Sequence, residues 1–325
     1  MRRRELGWLM GAGALGMRAQ AQGVQRRDVR FQSQGLHCAG WYYLPGDHQP
    51  GERRPAIVMA PDYGALKEMQ LDRVATAFAA AGLAVLLFDY RFTGASEGEP
   101  RQSLLWWDQI TDYRNALTWL GLQPEVDARR LGAWGTGYSG GHVLQLAAFD
   151  RRVQCVVAQT PMTHAWEAFY ADLAPKALEQ LSAVHAQARA MRMTTGEIEV
   201  LPIVSGTEGT GVFRQPEARA WYEQAALRAP RWVNRVTLES TEAFAQYEPA
   251  AAIARIAPTP LLMVVAKDDD ITPVGLQLQA FAKAGLPKQL VELAGGHYAP
   301  FDAARQAEFL GPQVAWFAKH LPRRG

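Results

Sequence analysis

Arg130-Leu-Gly-Ala-Trp-Gly-Thr-Gly-Tyr-Ser-Gly-Gly-His-Val-Leu144 decides how this 325-residue chain folds. It reads as an apolar strand, a glycine-packed turn and the start of a helix. Inside it, Gly137-Tyr138-Ser139-Gly140-Gly141 is a G-x-S-x-G string, the pattern of a nucleophile elbow, in which a serine stands on a sharp strand-to-helix turn. Such a turn needs small residues, because its backbone is strained and the helix packs close to the strand. The strand is expected over residues 130–134 and the helix over 141–149. The strand then ends near Gly135, and the residue two places on is Gly137, not serine. Which residue stands at the tip of the turn decides the nucleophile.

Outward from this stretch, apolar runs without alternation at 55–60, 83–88, 153–158 and 261–266 read as strands buried on both faces. Helical spacing at 71–81, closed by Gly82, and at 107–120 falls between them. Strands and helices alternating at these distances predict parallel βαβ units. Alternating aromatics at 28–44 predict an opening hairpin. From about 163 to 257 the buried-strand pattern lapses. Helix-like pieces at 174–192 and 216–226 predict a mainly helical insertion there. The pattern resumes with a helix at 275–284, a strand at 289–293 and a closing helix at 303–320. One domain over 24–325, with a cap at about 163–257, is expected.

Hydrophobic residues make up 48% and charged residues 20%, a globular balance at a length that buries a large core. The first 21 residues differ. Met1-Arg-Arg-Arg-Glu5 is basic, residues 6–17 are apolar and small, and Ala19-Gln20-Ala21 offers a cleavage site. These are the three regions of an export signal, with Arg3-Arg4 giving it a loose twin-arginine character. Export places the protein in the periplasm or outside the cell; without it the chain is cytoplasmic. The apolar run is too short for a stable membrane span. Cleavage after Ala21 removes four arginines and one glutamate, taking the formal charge from +2 to −1. A nearly neutral chain gives no case for nucleic-acid binding. Two cysteines, Cys38 and Cys155, are too few for a disulfide framework. Neither has metal-type spacing with histidine, and a single disulfide between them stays open.

Three strand ends carry polar residues where an open parallel sheet does its chemistry. Ser139 follows the 130–134 strand, Asp268-Asp269-Asp270 the 261–266 strand, and His297, within Gly295-Gly296-His297-Tyr298, the 289–293 strand. A hydroxyl is a weak nucleophile at neutral pH. It needs an imidazole to take its proton and a carboxylate to orient that imidazole. The order Ser, Asp, His is that of the α/β-hydrolases. Further segments extend the likeness: Met59-Ala-Pro-Asp-Tyr-Gly64 with Lys67-Glu68-Met69, Phe88-Asp89-Tyr90-Arg91 with Gly94-Ala95-Ser96-Glu97-Gly98, and Lys267-Asp-Asp-Asp-Ile-Thr-Pro273.

With these segments the chain resembles the X-Pro dipeptidyl-peptidase-like and cocaine-esterase-like group of α/β-hydrolases. It is similar also to related bacterial hydrolases and polyketide-transferase-like proteins. The resemblance runs from about Val24 to the C-terminus, apart from the insertion. It implies an α/β-hydrolase fold: a mainly parallel central sheet, helices on both faces and a helical cap. Its D-x-x-x-P spacing to Pro273 selects Asp269 as the acid beside His297. It implies an oxyanion hole from a backbone N–H after the 55–60 strand and another just after the nucleophile. Tyr63 is the first candidate, with its hydroxyl in the part a tyrosine plays in the esterase relatives. Tyr138 or Gly140 is the second.

The family's elbow is G-x-S-Y-x-G. Laid on Gly135-Thr136-Gly137-Tyr138-Ser139-Gly140, it puts Gly137 at the nucleophile. A shift of two residues keeps the strand facing and puts Ser139 there. Three readings follow. The first is a serine hydrolase of esters, amides or thioesters, or an acyl transferase, using Ser139, His297 and Asp269. The second is a hydrolase fold without its standard nucleophile, acting as a binding protein or as a non-covalent catalyst through His297 and Asp269. The third is an active family with a changed residue 137. None needs a cofactor or metal. The carboxylates at 268–270 come from one turn, short of the convergent oxygens a hard cation wants. Trp166, Phe169, Tyr170, Trp221, Tyr222 and Trp232 in the cap suit an apolar or aromatic small molecule, or equally the packing of cap on core.

Overall fold

Apolar strands frame the chain in the computed structural model, which describes residues 23–206 and 209–323. The export signal expected over residues 1–21 lies outside the described residues. β1 (Gln25–Ser33) and β2 (Leu36–Leu44) form the expected hairpin. β3 (Arg54–Ala60), β4 (Ala84–Phe88), β5 (Val126–Thr136) and β6 (Val153–Gln159) follow. β7 (Val200–Leu201) and β8 (Val236–Thr237) pair with each other inside the insertion. β9 (Leu261–Ala266) and β10 (Lys288–Leu293) complete an eight-stranded sheet of order β1-β2-β4-β3-β5-β6-β9-β10. β2 runs antiparallel to β1 and β4, and the other pairs are parallel. This is the mainly parallel α/β-hydrolase sheet that the sequence predicts.

β3 and β9 are buried along their whole length, as unbroken apolar runs require when helices cover both faces of a sheet. The helices are α1 (Leu71–Ala80), α2 (Trp106–Gly121), α3 (Gly137–Phe149), α4 (Ala165–Phe169), α5 (Pro175–Thr195), α6 (Pro216–Ala226), α7 (Leu238–Ala245), α8 (Val274–Lys283) and α9 (Gln306–His320). The two-residue period of the strands divides the core. Met59, Trp134 and Leu262 pack with Phe78 of α1 and Phe317 of α9 on one face. Val58, Ala133 and Met263 pack with Tyr113 of α2, Val143 of α3 and Ala280 of α8 on the other. Each fully buried aliphatic side chain of this kind contributes about 1.5–3 kcal/mol over exposure.

α4 to α7, the β7–β8 pair and a 3-10 stretch at Pro249–Ile256 lie between β6 and β9. Cys38 and Cys155 are buried free thiols, on β2 and β6. Among the described residues, no helix is long and apolar enough to cross a membrane.

The elbow differs from the expected bounds. β5 continues to Thr136, and α3 begins at Gly137 rather than at residue 141. Gly137 sits at the tip with φ of +54°, in the left-handed region that glycine tolerates. Gly135 does not end the strand. Its missing Cβ leaves room for the Ser139 carbonyl in the first turn of α3. Both atoms that a Cβ at 135 would meet first belong to backbone, so neither can swing away. Gly135→Ala is therefore expected to lower stability by about 2 kcal/mol or more, measured by urea denaturation. An unchanged midpoint would contradict this account of the elbow.

Candidate active site

With the elbow at position 137, a Cβ built on Gly137 would fall onto the carboxylate of Asp62. Asp62 lies in the loop after β3, and its side chain enters the space that the glycine leaves open. Its Oδ1 accepts hydrogen bonds from the Tyr63 N–H at 2.7 Å and the Tyr138 N–H at 2.6 Å. One donor follows the elbow residue and the other follows β3. These are the two places from which this fold builds an oxyanion hole. The second carboxylate oxygen, Oδ2, lies 3.2 Å from Nε2 of His297. Asp62 thus lies in the hole and against the histidine at once.

His297 stands in the loop after β10 and Asp269 in the loop after β9. His297 Nδ1 lies 2.9 Å from Asp269 Oδ2. Asp269 is held in turn by the N–H groups of Ile271 and Thr272 on Oδ1, at 3.0 and 2.8 Å. The Thr272 hydroxyl and the Gln277 side-chain amide donate to Oδ2, at 2.7 and 3.1 Å. A carboxylate fixed by this many donors fixes the imidazole in turn. Burial alone would push the His297 proton off. The two flanking carboxylates, Asp269 first and Asp62 second, outweigh burial and raise its pKa to about 10. Burial also raises the Asp269 carboxyl, but His297 and Thr272 hold it below its ordinary value. At neutral pH the center of the site is an imidazolium between two carboxylates, with His297 only 1% exposed.

Ser139 is not part of this constellation, which corrects the expectation that it is the nucleophile. It is fully buried, and its hydroxyl bonds to the Pro61 carbonyl and the Tyr90 hydroxyl. The reason is helical geometry: in the first turn of α3, position 139 points under the loop after β3 and away from position 137. Tyr63 contributes its N–H, not its hydroxyl. The hydroxyl has no hydrogen-bond partner, and its ring packs against Tyr138, Phe213 and Phe244. Gly140 packs against Pro161 instead of supplying the second donor. Asp268 caps the Gly295 N–H, and Asp89 holds the Lys67 ammonium and N–H at 2.7 and 2.8 Å. His142 is buried between Tyr247 and Gln109, and burial lowers its pKa to about 3, so it is neutral. Among the described residues, no group of His, Cys, Asp and Glu has the arrangement to hold a metal ion.

The cap closes over this center. The Tyr222 hydroxyl of α6 donates to the Tyr63 carbonyl, and the Trp232 indole N–H donates to the Gly64 carbonyl at 3.1 Å. Glu217 of α6 accepts the Tyr298 N–H at 3.0 Å. Trp221 stacks on Tyr298 with ring centers 4.4 Å apart, and the Tyr298 ring lies 4.7 Å from that of His297. The Tyr298 hydroxyl is buried without a hydrogen-bond partner. Trp221, Tyr222 and Trp232 therefore lie against the core, whereas Trp166 is 42% exposed and stacks on Tyr170.

Sheet, elbow and the loops after β9 and β10 define an α/β-hydrolase, an enzyme class. The family model of the X-Pro dipeptidyl-peptidases (S15 family) matches residues 41–297, and the chain belongs to that family. It is 31% identical to the polyketide transferase ATR5 of Stachybotrys chlorohalonatus, over 92% of this chain and 98% of that one. It is also 31% identical to the thiohydrolase aneE of Aspergillus aculeatus, over 79% and 80%. The crystal structure of the α/β hydrolase GrgF from Penicillium superposes with a TM-score of 0.79 at 28% identity, over 91% and 99%.

The His297 pKa carries a pH signature. It is raised from 6.5 to about 10. The stabilization it provides is complete below the unfolded value and is lost as pH rises through the folded one. Wild type should lose stability between pH 7 and pH 10 by this route, and His297→Gln should lose less. Chemical denaturation at the two pH values checks this; equal losses in both proteins would contradict the ion-paired imidazolium.

Proposed function

We propose that this chain is a hydrolase, with transfer to an acceptor other than water as its variant, in which the Asp62 carboxylate takes the place of the elbow serine. The observation that carries this is the placement of Asp62, with one oxygen on two backbone donors and the other on His297. A carboxylate is already ionized and needs no base to activate it. It would attack through Oδ2 and form a covalent ester or anhydride. Water would then attack Asp62 Cγ, and the negative charge would form on Oδ1, which the Tyr63 and Tyr138 N–H groups already hold. His297 cannot serve as a base while two anions hold its proton. Formation of the covalent intermediate removes the Asp62 charge, and with it one of the two holds on that proton. Asp269 keeps the ring oriented throughout.

The relatives' names support the class: a thiohydrolase, a polyketide transferase and an α/β hydrolase all suggest group transfer from a reactive carbon to water or another acceptor. Of the ester, amide and thioester bonds expected, the nucleophile disfavors two. A carboxylate is too weak a base to expel an alkoxide or an amide anion, so unactivated esters and amides are poor substrates and thioesters better ones. A binding protein without catalysis would have no use for an imidazolium held on a carboxylate in an oxyanion hole. The aromatic roof supports an apolar or aromatic small-molecule substrate. The basic start and A-x-A site support export to the periplasm or beyond.

Asp62→Asn is expected to cut turnover by about 10³-fold on any reactive ester, thioester or alkyl substrate that wild type accepts. Ser139→Ala is expected to change it by less than about threefold. Loss in Ser139→Ala with retention in Asp62→Asn would overturn the proposal.

A further inference from the structure

We propose that the electrophile opened at this site is a saturated carbon, and that the substrate class is an epoxide on an apolar or aromatic chain, hydrolyzed to a vicinal diol. The inference rests on Asp62 as the nucleophile. It follows from which oxygen occupies the hole. In acyl transfer the hole must hold the substrate's carbonyl oxygen, where charge develops. Here the Tyr63 and Tyr138 N–H groups are both committed to Asp62 Oδ1. Attack on a carbonyl would build negative charge on an oxygen these donors do not reach. Attack on a saturated carbon builds no such charge. The hole is then needed only in the second step, when water adds to Asp62 Cγ, and there Oδ1 is already seated.

The supply of protons points the same way. A departing halide needs no proton; the oxygen of an opening ring does. His297 Nε2 carries one beside the attacking Oδ2, 3.2 Å away. The Tyr298 hydroxyl is a second donor: it is buried, makes no hydrogen bond of normal geometry, and belongs to the residue next to His297. Burial, with Tyr222 and Asp62, keeps that phenol protonated far above neutral pH, and the Tyr222 hydroxyl is its nearby polar neighbor. A weakly satisfied buried donor is improved by a better acceptor, and a substrate oxygen is one. The surrounding walls are aromatic: Trp221 stacks on Tyr298 and Phe301 stands beside Trp221, and Phe213 and Phe244 stand beside Tyr63.

The steps balance. Asp62 Oδ2 forms a bond to the ring carbon as the carbon–oxygen bond of the epoxide breaks. The released alkoxide takes the Nε2 proton of His297, with Tyr298 donating a hydrogen bond to the same oxygen. Neutral His297 then takes a proton from water, and the hydroxide adds to Asp62 Cγ. The tetrahedral intermediate expels the second diol oxygen, which takes the proton back from His297. The Asp62 carboxylic acid returns its own proton to His297, which restores the starting ion pair. Epoxide and water are consumed, one diol is formed, and no oxidant, metal or cofactor takes part.

The test uses styrene oxide and 1,2-epoxyoctane, with S-octanoyl-N-acetylcysteamine as the acyl comparator. Wild type should form diol, and Asp62→Asn should lose about 10³-fold. A single turnover in oxygen-18 water should place the label in the peptide carrying Asp62, not in the first diol released. His297→Gln, which lacks both the proton for the opening ring and the base for water, should open the ring slowly with Tyr298 as the remaining donor and retain the adduct that forms on that same peptide. Tyr298→Phe should lower the rate of ring opening by about 10- to 100-fold and leave hydrolysis of the preformed ester unchanged. Absence of both diol and adduct in wild type and His297→Gln would overturn the inference. Thioester turnover through an Asp62 adduct, without epoxide turnover, would overturn the substrate class and leave Asp62 as nucleophile. Turnover of either substrate independent of Asp62 would overturn both.

Discussion

The hydrogen bonds from the Tyr63 and Tyr138 backbone N–H groups to the Asp62 carboxylate are the interaction on which the rest of the site depends. They join the loop after β3 to the first turn of α3, and they set the carboxylate's other oxygen against His297. The elbow is shaped by the same contact. A side chain at position 137 would meet the Asp62 carboxylate where it stands, so the glycine at the tip is what lets Asp62 keep this position. His297 is held in turn by Asp269, and Asp269 by five donors from Ile271, Thr272, Gln277 and His297 itself. Every oxygen of the two carboxylates is occupied, as burial demands of charges removed from water.

Burial gives this arrangement its chemistry. Two carboxylates share one imidazolium in a dry site, and backbone N–H donors hold the remaining negative charge. Removing His297 leaves two buried carboxylates without a counter-charge, which costs several kcal/mol, whereas removing Asp62 leaves the Asp269–His297 pair. The same coupling is useful in a reaction. In the proposed reaction, neutralizing Asp62 by bond formation would change the proton affinity of His297 without moving it, so one event would switch the histidine from acid to base. The cap contributes by excluding water: α6 bonds to the loops that carry Tyr63 and Tyr298, and Trp221 covers the Tyr298 ring.

Much of this was legible in the sequence, and the illegible parts have physical reasons. Unbroken apolar runs at β3, β4, β6 and β9 announce a sheet covered on both faces, and the alternation with helices announces its parallel order. Asp269 and His297 follow β9 and β10, the strand ends that single them out, with the family resemblance choosing Asp269 among three aspartates, and they lie 2.9 Å apart. The elbow register stays open between Gly137 and Ser139 in the sequence because glycine usually ends an apolar run. Gly135 instead stays in β5, making room for the backbone of α3. The place of Asp62 is not legible in the sequence, because the elbow motif points to its own tip, whereas this carboxylate reaches the tip through space from the loop after β3. For Tyr63 the sequence reading offers both the backbone N–H and the hydroxyl, and the fold turns the N–H toward Asp62. Side chains are written in a sequence, but the direction of a backbone N–H is set only by the fold.

Placing a serine at the tip tests the central claim, that the Asp62 carboxylate occupies the nucleophile's place and its oxyanion hole. Gly137→Ser and the double variant Gly137→Ser/Asp62→Ala are compared by fluorophosphonate labelling and peptide mapping. The account predicts negligible labelling at position 137 in the single variant, because Asp62 blocks the hydroxyl and fills the hole. It predicts strong labelling in the double variant, where His297 is freed to activate the serine. Full labelling of the single variant would contradict it.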